Sequence, residues 1–230
     1  MSLINATVKC KDCPSKEIAL IKVTTDKPVK YKAGQFVTIQ AEDFEARSYS
    51  VANAPEGGQS SHLEFHIGQG RALSKYIVQD LDAGESLKVS HGQGNITFKG
   101  VCKKPLLMVA GGTGLAQIKA LIEAALQKAR DNPIYLYHGS RNKDGLYLHA
   151  HFKQLEIENP LFTYRFALSE ENHKDFPHGL ITQLIEQDFE DLKNYRSYMC
   201  GPVPMVEATK TLLLKKSIDP QRIHAEDWSL

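Results

Sequence analysis

The chain has 230 residues, 42% apolar and 24% charged, an ordinary globular mix with length for one large domain or two modest ones. Lys plus Arg is 28 and Asp plus Glu is 27, so the strong positive field of a nucleic-acid binder is excluded. No apolar run approaches the ~20 residues that span a bilayer, and no block of like charge suggests a membrane-surface patch.

Up to about Gly100 the chain reads as short strands parted by turn residues, over 17–25, 34–41, 47–53, 62–68 and 85–92. One helix interrupts them at 72–81, where Leu73, Ile77 and Leu81 recur on one face. This spacing predicts an antiparallel barrel or sandwich. From Lys104 the period changes. A doubly buried strand at 105–111 leads to a helix from Leu115 to Arg130, then a strand at 133–139 and a helix at 149–158. A strand at 161–169, a helix at 179–188 and a strand at 195–202 follow. A helix from Val203 to Lys216, with Pro204 in its first turn, and a strand at 222–227 complete the series. Such alternation predicts a parallel sheet with helices on both faces. The expected fold is therefore β + α/β, a barrel domain over 1–100 and a nucleotide-binding domain over 101–230.

The N-terminal "MSLINATVKCKDC" lacks a signal-peptide pattern, and four cysteines make no disulfide framework, so a cytoplasmic protein with reduced thiols is expected. Cys10 and Cys13 form a lone C-x-x-C with no second pair to complete a zinc site, and His149 and His151 are spaced to point apart on a helix. Both pairs are read as structurally ordinary against zinc or redox chemistry, and no metal is expected.

Gly111, Gly112, Thr113 and Gly114 join the first parallel strand to its helix, where backbone amides and the helix dipole suit a phosphate. The ordinary dinucleotide fingerprint fails twice. Gln117 replaces its third glycine, and "HGSR" (138–141) stands where an acid should end the second strand. No Lys-Ser/Thr pair makes it a P-loop. The turn alone could equally serve close packing. Ligands in such sheets bind at the strands' C-terminal ends, here "GGTG" (111–114), "HGSR" and "CGPVPM" (200–205).

"RSYS" (47–50), "GGTG" and "CGPVPM" occur in the order and spacing of the ferredoxin–NADP⁺ reductase-like superfamily of flavoproteins, which the whole chain resembles. "MCGPVPMVEATKTLL" is similar to reductase components of aromatic-ring dioxygenases; "SHGQG" and "HIG" (66–68) are similar to small NAD(P)H:flavin reductases. The resemblance implies flavin contacts from Arg47, Ser48, Tyr49, Ser50 and Val51, with Arg47 on phosphate, Tyr49 against the isoalloxazine and Ser50 near N5. It extends them to His66, Gly68, Gly70 and Ser74, with one extra residue between Gly70 and Ser74. FAD is favoured over FMN because a pyrophosphate would use both Arg47 and the helix opening near Ser74.

For NAD(P)H the resemblance implies Gly111, Gly112, Thr113 and Gly114 at the pyrophosphate, and Cys200, Gly201, Pro202 and Met205 beside the nicotinamide. Trp228 matches the aromatic residue over the flavin, with Glu226 as the nearby acid; Ser50, Cys200 and Glu226 are the candidate catalytic residues. Arg141 is a candidate for the cofactor's 2′-phosphate. Glu170 and Glu171 would repel that group, so NADH is favoured over NADPH. The implied reaction is hydride transfer from NAD(P)H to flavin N5, then electron release to free flavin or a separate ferredoxin- or oxygenase-type protein. The Cys-x4-Cys-x2-Cys run of a plant-type iron–sulfur domain is absent from these 230 residues. A non-catalytic nucleotide- or flavin-binding subunit of a larger complex is the alternative.

Overall fold

A computed structural model describes residues 2–100, 103–128 and 131–228, with nothing described of the Asp227 and Trp228 side chains. The expected end of a helix at Arg130 and a domain joint at 101 fall outside these residues. The chain divides into two compact units. One is Met1–Lys99 with Lys119–Gln127, and the other is Gly100–Ile118 with Lys128–Ser229.

The first unit is an antiparallel sheet of six strands, curled so that its ends approach. In chain order the strands are β1 (Ile4–Ser15), β2 (Ile18–Lys30), β3 (Phe36–Gln40), β4 (Arg47–Ser50), β5 (Gln59–Gly68) and β6 (Ser86–Val89). Their spatial order is β4-β3-β6-β1-β2-β5. Just beyond β4, the Ala52 N–H donates to the Glu64 carbonyl of β5 (2.7 Å), drawing the outer strands together. Strand alternation points Ile21, Val23, Val37, Ile39, Leu63, Phe65, Leu87 and Val89 inward. Helix α1 (Ala72–Gln79) plugs this core with Leu73, Ile77 and Val78.

Strand β1 is not among the predicted strands. Only Ala6 and Val8 of its twelve residues are buried, so Lys, Asp and exposed Cys dilute its alternation. Tertiary pairing with β2 and β6, rather than apolar pattern, makes it a strand. Strand β4 stops at Ser50 rather than Asn53, because Val51 and Ala52 bond outside the β3 ladder, to the carbonyls of Gln35 and Glu64.

The second unit has the order β11-β10-β7-β8-β9, all parallel, from β7 (Leu106–Gly111), β8 (Ile134–Ser140), β9 (Phe162–Leu168), β10 (Arg196–Pro202) and β11 (Ile223–Trp228). Connecting helices are α2 (Leu115–Lys128), of which Lys119–Gln127 counts with the first unit, α3 (His149–Glu158), α4 (Ile181–Asp188) and α5 (Val203–Lys215). Every residue of β7 is buried, as a central parallel strand requires. The strand order reverses between β7 and β10, the place where open α/β sheets bind ligands.

Polar groups also lie inside this unit. His138 on β8 is fully buried; its Nδ1 lies 3.4 Å from the Tyr164 hydroxyl, which also meets His149 Nδ1 at 3.4 Å, while its Nε2 has no partner. Burial, and next the neighbouring His149, lower the His138 pKa to about 3. The folded chain therefore holds His138 neutral where the unfolded chain takes up a proton. Its stabilising share is complete above pH about 6.5 and is lost as pH falls toward 3. Urea midpoints followed through that window are expected to decline, and His138→Gln should flatten the decline.

Candidate functional site

The expected flavin residues lie on an edge. Strand β4 pairs only with β3, through Ile39↔Arg47, Thr38↔Ser48, Val37↔Tyr49 and Phe36↔Ser50. Ser48 is exposed, Arg47 and Tyr49 are half-buried, and Ser50 and Val51 are buried. The Tyr49 hydroxyl hydrogen-bonds the Ser74 side chain across to α1; burial raises the Tyr49 pKa to about 12, with the Ser74 bond and the Arg47 charge pulling the other way. Helix α1 has no side-chain cap. Its N-cap residue is Arg71, with extended backbone, and Ser74 in its first turn donates to the Arg71 carbonyl (2.9 Å).

These features place a guanidinium, two hydroxyls and an uncapped helix N-terminus together. Unsatisfied N–H groups and the dipole's positive end favour an anion there. The residues present thus fit a flavin's phosphate groups. In the free protein Arg47 pairs instead with Glu45 (2.7 Å), a solvent-exposed contact that an anion can displace. The extra residue noted in the sequence makes Arg71, rather than Gly70, the position three before Ser74. Gly70 lies just before the cap, where a Cβ would meet the Ser74 hydroxyl at 3.2 Å.

His66 and Gly68 are on β5. Gly68 pairs with Ile18 at the strand's end. The His66 ring is buried, with Nε2 2.9 Å from the Glu64 carboxylate. Glu64 is held down to about pKa 2 against its own burial by His66 and Lys119, whereas burial lowers that of His66.

In the second unit, register brings the three glycine-bearing strand ends side by side. Cys200 of β10 faces Ala110 of β7 and Glu226 of β11, and Gly111 faces Gly139 of β8. The turn's glycines do different work. Gly112 has φ +52°, and a Cβ there would meet nothing within 4 Å, so its face is open. A Cβ on Gly114 would lie 2.4 Å from the Cys200 carbonyl oxygen, so Gly114 exists for backbone-on-backbone packing. Gly111 and Gly201 make room for Met205, whose sulfur or methyl would lie 2.6 Å from either added Cβ. Thr113 is half-buried and Pro202 exposed. Helix α5 begins after Pro202 without a side-chain cap, giving a second positive helix end beside the turn.

Gln117 explains the absent third glycine. It is buried, and its side-chain amide donates to the Glu226 carboxylate. The long side chain thereby ties the first turn of α2 to β11. Glu226 is only half-buried, and Cys200 is fully buried. Trp228 ends β11 opposite Pro202, but its side chain lies outside the described residues.

At the ends of β8 and β9, the Arg141 carbonyl accepts the N–H groups of Glu170 and Glu171 (both 3.0 Å), and the Lys143 N–H donates to the Glu171 carboxylate (2.8 Å). Both acids are thus held beside Arg141, whose side chain is exposed. Among the described residues no cluster of three or more His, Cys, Asp or Glu could hold a metal ion, and Cys10 and Cys13 are exposed thiols. Sequence reading missed the tether role of Gln117 and the partners of His66. Lys119, four before Glu123 on an otherwise apolar helix, was the available signal for the latter.

The family model of the oxidoreductase NAD-binding domain matches residues 108–211. The ferredoxin–NAD(P)⁺ reductase component of the naphthalene 1,2-dioxygenase system of Pseudomonas putida is 32% identical over 227 residues, which are 97% of this chain and 68% of that protein. A probable flavin reductase of Vibrio harveyi is 28% identical over 213 residues, 89% of this chain and 90% of that one. Among solved structures, the Amycolatopsis cytochrome P450 reductase GcoB superposes with a TM-score of 0.91 at 26% identity, over 98% of this chain and 69% of that one.

The two glycine roles separate experimentally. Gly114→Ala forces backbone apart and should cost about 3 kcal/mol or more, whereas Gly112→Ala meets only the left-handed penalty of about 1–2 kcal/mol. Chemical denaturation of the two variants measures the difference.

Proposed function

Because this chain belongs to the ferredoxin–NADP⁺ reductase-like flavoprotein superfamily, we propose that it is an NAD(P)H-dependent flavin oxidoreductase. The barrel unit, over 1–100, is the FAD half and the α/β unit, over 101–230, is the NAD(P)H half. The observation that carries the reading is the convergence of Arg47, Tyr49, Ser74 and the uncapped start of α1 on one anion-binding corner. When bound, a flavin would supply the redox chemistry, hydride acceptance from a reduced nicotinamide and electron release to an acceptor.

The chain's own residues bind and orient. Arg47 exchanges Glu45 for phosphate, and Tyr49, its phenol kept neutral by burial, covers the ring system. Ser50 would present a hydroxyl from a buried strand position, as donor toward N5. Gly112 leaves the turn open for a pyrophosphate, and the amides there and at the start of α5 favour its charge. Cys200, buried and backed by Gly114, is read as a positioning group beside the nicotinamide rather than a nucleophile. Glu226, oriented by Gln117, supplies the acid of the site.

Glu170 and Glu171 favour NADH, because both are fixed where a 2′-phosphate would enter. The electron acceptor is free flavin or a separate ferredoxin- or oxygenase-type protein, the two outlets named by its relatives. No described helix is long and apolar enough to cross a membrane. The exposed unpaired thiols of Cys10 and Cys13 suit the reducing cytoplasm.

Reconstitution with FAD, followed by NADH oxidation with FMN, FAD or ferredoxin-type acceptors, tests the reading. A colourless protein that oxidises no NADH would sink it. Arg47→Ala should weaken FAD binding about tenfold or more, the loss of a charge-assisted contact, and Ser50→Ala should slow flavin reduction at saturating NADH in stopped flow. Wild-type kcat/KM should be higher with NADH than with NADPH, and Glu171→Gln should narrow the gap.

A further inference from the structure

We infer that Lys119, Glu64, Glu123 and His66 form a buried clasp that positions Ser50, by fixing both edges of the three residues that follow Val51. The inference rests on the reading of the barrel as the flavin half.

Ser50 has a ladder neighbour on one side only, β3, and β4 ends with it. An edge strand of four residues is poorly held by its own ladder. The chain beyond it is nevertheless fixed at every polar atom that matters. The Val51 N–H donates to the Gln35 carbonyl (3.1 Å), and the Ala52 N–H to the Glu64 carbonyl (2.7 Å). The Ala52 carbonyl accepts from Lys119 Nζ (3.2 Å), and the Asn53 carbonyl from the Tyr31 hydroxyl (3.3 Å). The Asn53 side chain accepts from the Glu64 N–H (2.9 Å) and donates to the His62 carbonyl (3.1 Å). The Ala54 N–H donates to the Glu123 carboxylate (2.8 Å).

Three ionised groups carry this arrangement. Lys119 Nζ lies 3.2 Å from Glu64 Oε2 and 2.7 Å from Glu123 Oε1, with its side chain only 10% exposed. His66, with no exposed side chain, completes the set through Nε2 on Glu64 Oε1. Burial keeps His66 neutral, while His66 and Lys119 hold Glu64 ionised against its own burial, so the proton between the ring and the carboxylate sits on Nε2, which donates. That bond turns the other Glu64 oxygen toward Lys119. The lysine then reaches the Ala52 carbonyl while pairing with the carboxylate of Glu64, whose own backbone N–H and carbonyl hold Asn53 and Ala52 from the opposite side.

Stability alone does not account for such a device. Apolar side chains of similar volume generally serve a core as well as a buried ion pair, because the charges must be stripped of water. What the ions provide here is direction: Lys119 and Glu123 are aimed at named backbone atoms, and Glu64 holds the lysine in place. All of those atoms lie within four residues of the hydroxyl expected to face the flavin. Displacement of a reacting contact by about 1 Å can cost on the order of a hundredfold in rate, so a rigid support two residues away matters to that contact. Lys119 is accordingly a positioning residue, not a catalytic one.

The test compares wild type, Lys119→Met, and the double variant Lys119→Met/Glu64→Gln, which removes the Lys119 and Glu64 charges, leaves Glu123 on the Ala54 N–H and keeps a polar partner for His66. The single variant strands a buried carboxylate and should lower the melting temperature; the double variant should recover most of it. In the flavin-free double variant, amide exchange over residues 51–54 should quicken about tenfold. With FAD bound, reduction at saturating NADH should slow about tenfold, and the visible flavin band should change shape. A double variant with wild-type exchange at these amides, or with wild-type reduction rate, overturns the inference. A wild-type protein that binds no flavin and oxidises no NADH overturns the proposed function instead, while faster exchange in the flavin-free variant still upholds the clasp.

Discussion

The contact on which the nucleotide unit depends is the approach of Gly114 to the carbonyl of Cys200, so close that a single methyl would collide with backbone. It lets the start of α2 lie directly on the end of β10, across the divide where the sheet reverses its winding. With that distance set, the neighbouring features follow. Gly112 is left facing outward, Met205 fills the space between Gly111 and Gly201, and Gln117 comes within reach of Glu226. A bulkier residue at 114 would lift the helix and separate all of them at once.

Both units solve a similar electrostatic problem. Each presents an uncapped helix N-terminus, α1 in one and α5 in the other, whose amides are available to an anion. Each also holds a partly buried glutamate, Glu64 or Glu226, with a side chain from α2, Lys119 or Gln117.

Much of the fold was legible because its two halves obey different periods. The continuous apolar run 105–111 and the Pro204 helix start could hardly be read otherwise, and both elements form where expected. Strand β1 was not legible, since its outward face is polar and its pairing is decided by β2 and β6. The site was legible where chemistry is carried by short contiguous strings such as 47–50 and 111–114. It was opaque where groups far apart in sequence converge: Lys119 with Glu64, or Tyr49 with Ser74. Gln117 read as a defect in a glycine pattern, because its partner lies on another strand.

That partner has a consequence for how the protein is made. Gln117 and Glu226 are separated by 109 residues, and the glycine turn also packs on Cys200. During synthesis β7, β8 and β9 can pair as they emerge, yet the turn that follows β7 must wait for β10 and β11. Until then its buried amide has no carboxylate and the flank of β7 no neighbour. The barrel waits as well, since β6 must return to pair with β1 and Lys119 must emerge before it can reach Glu64. Both units should therefore close late in synthesis and stay exposed to chaperones and to aggregation until their distant partners emerge.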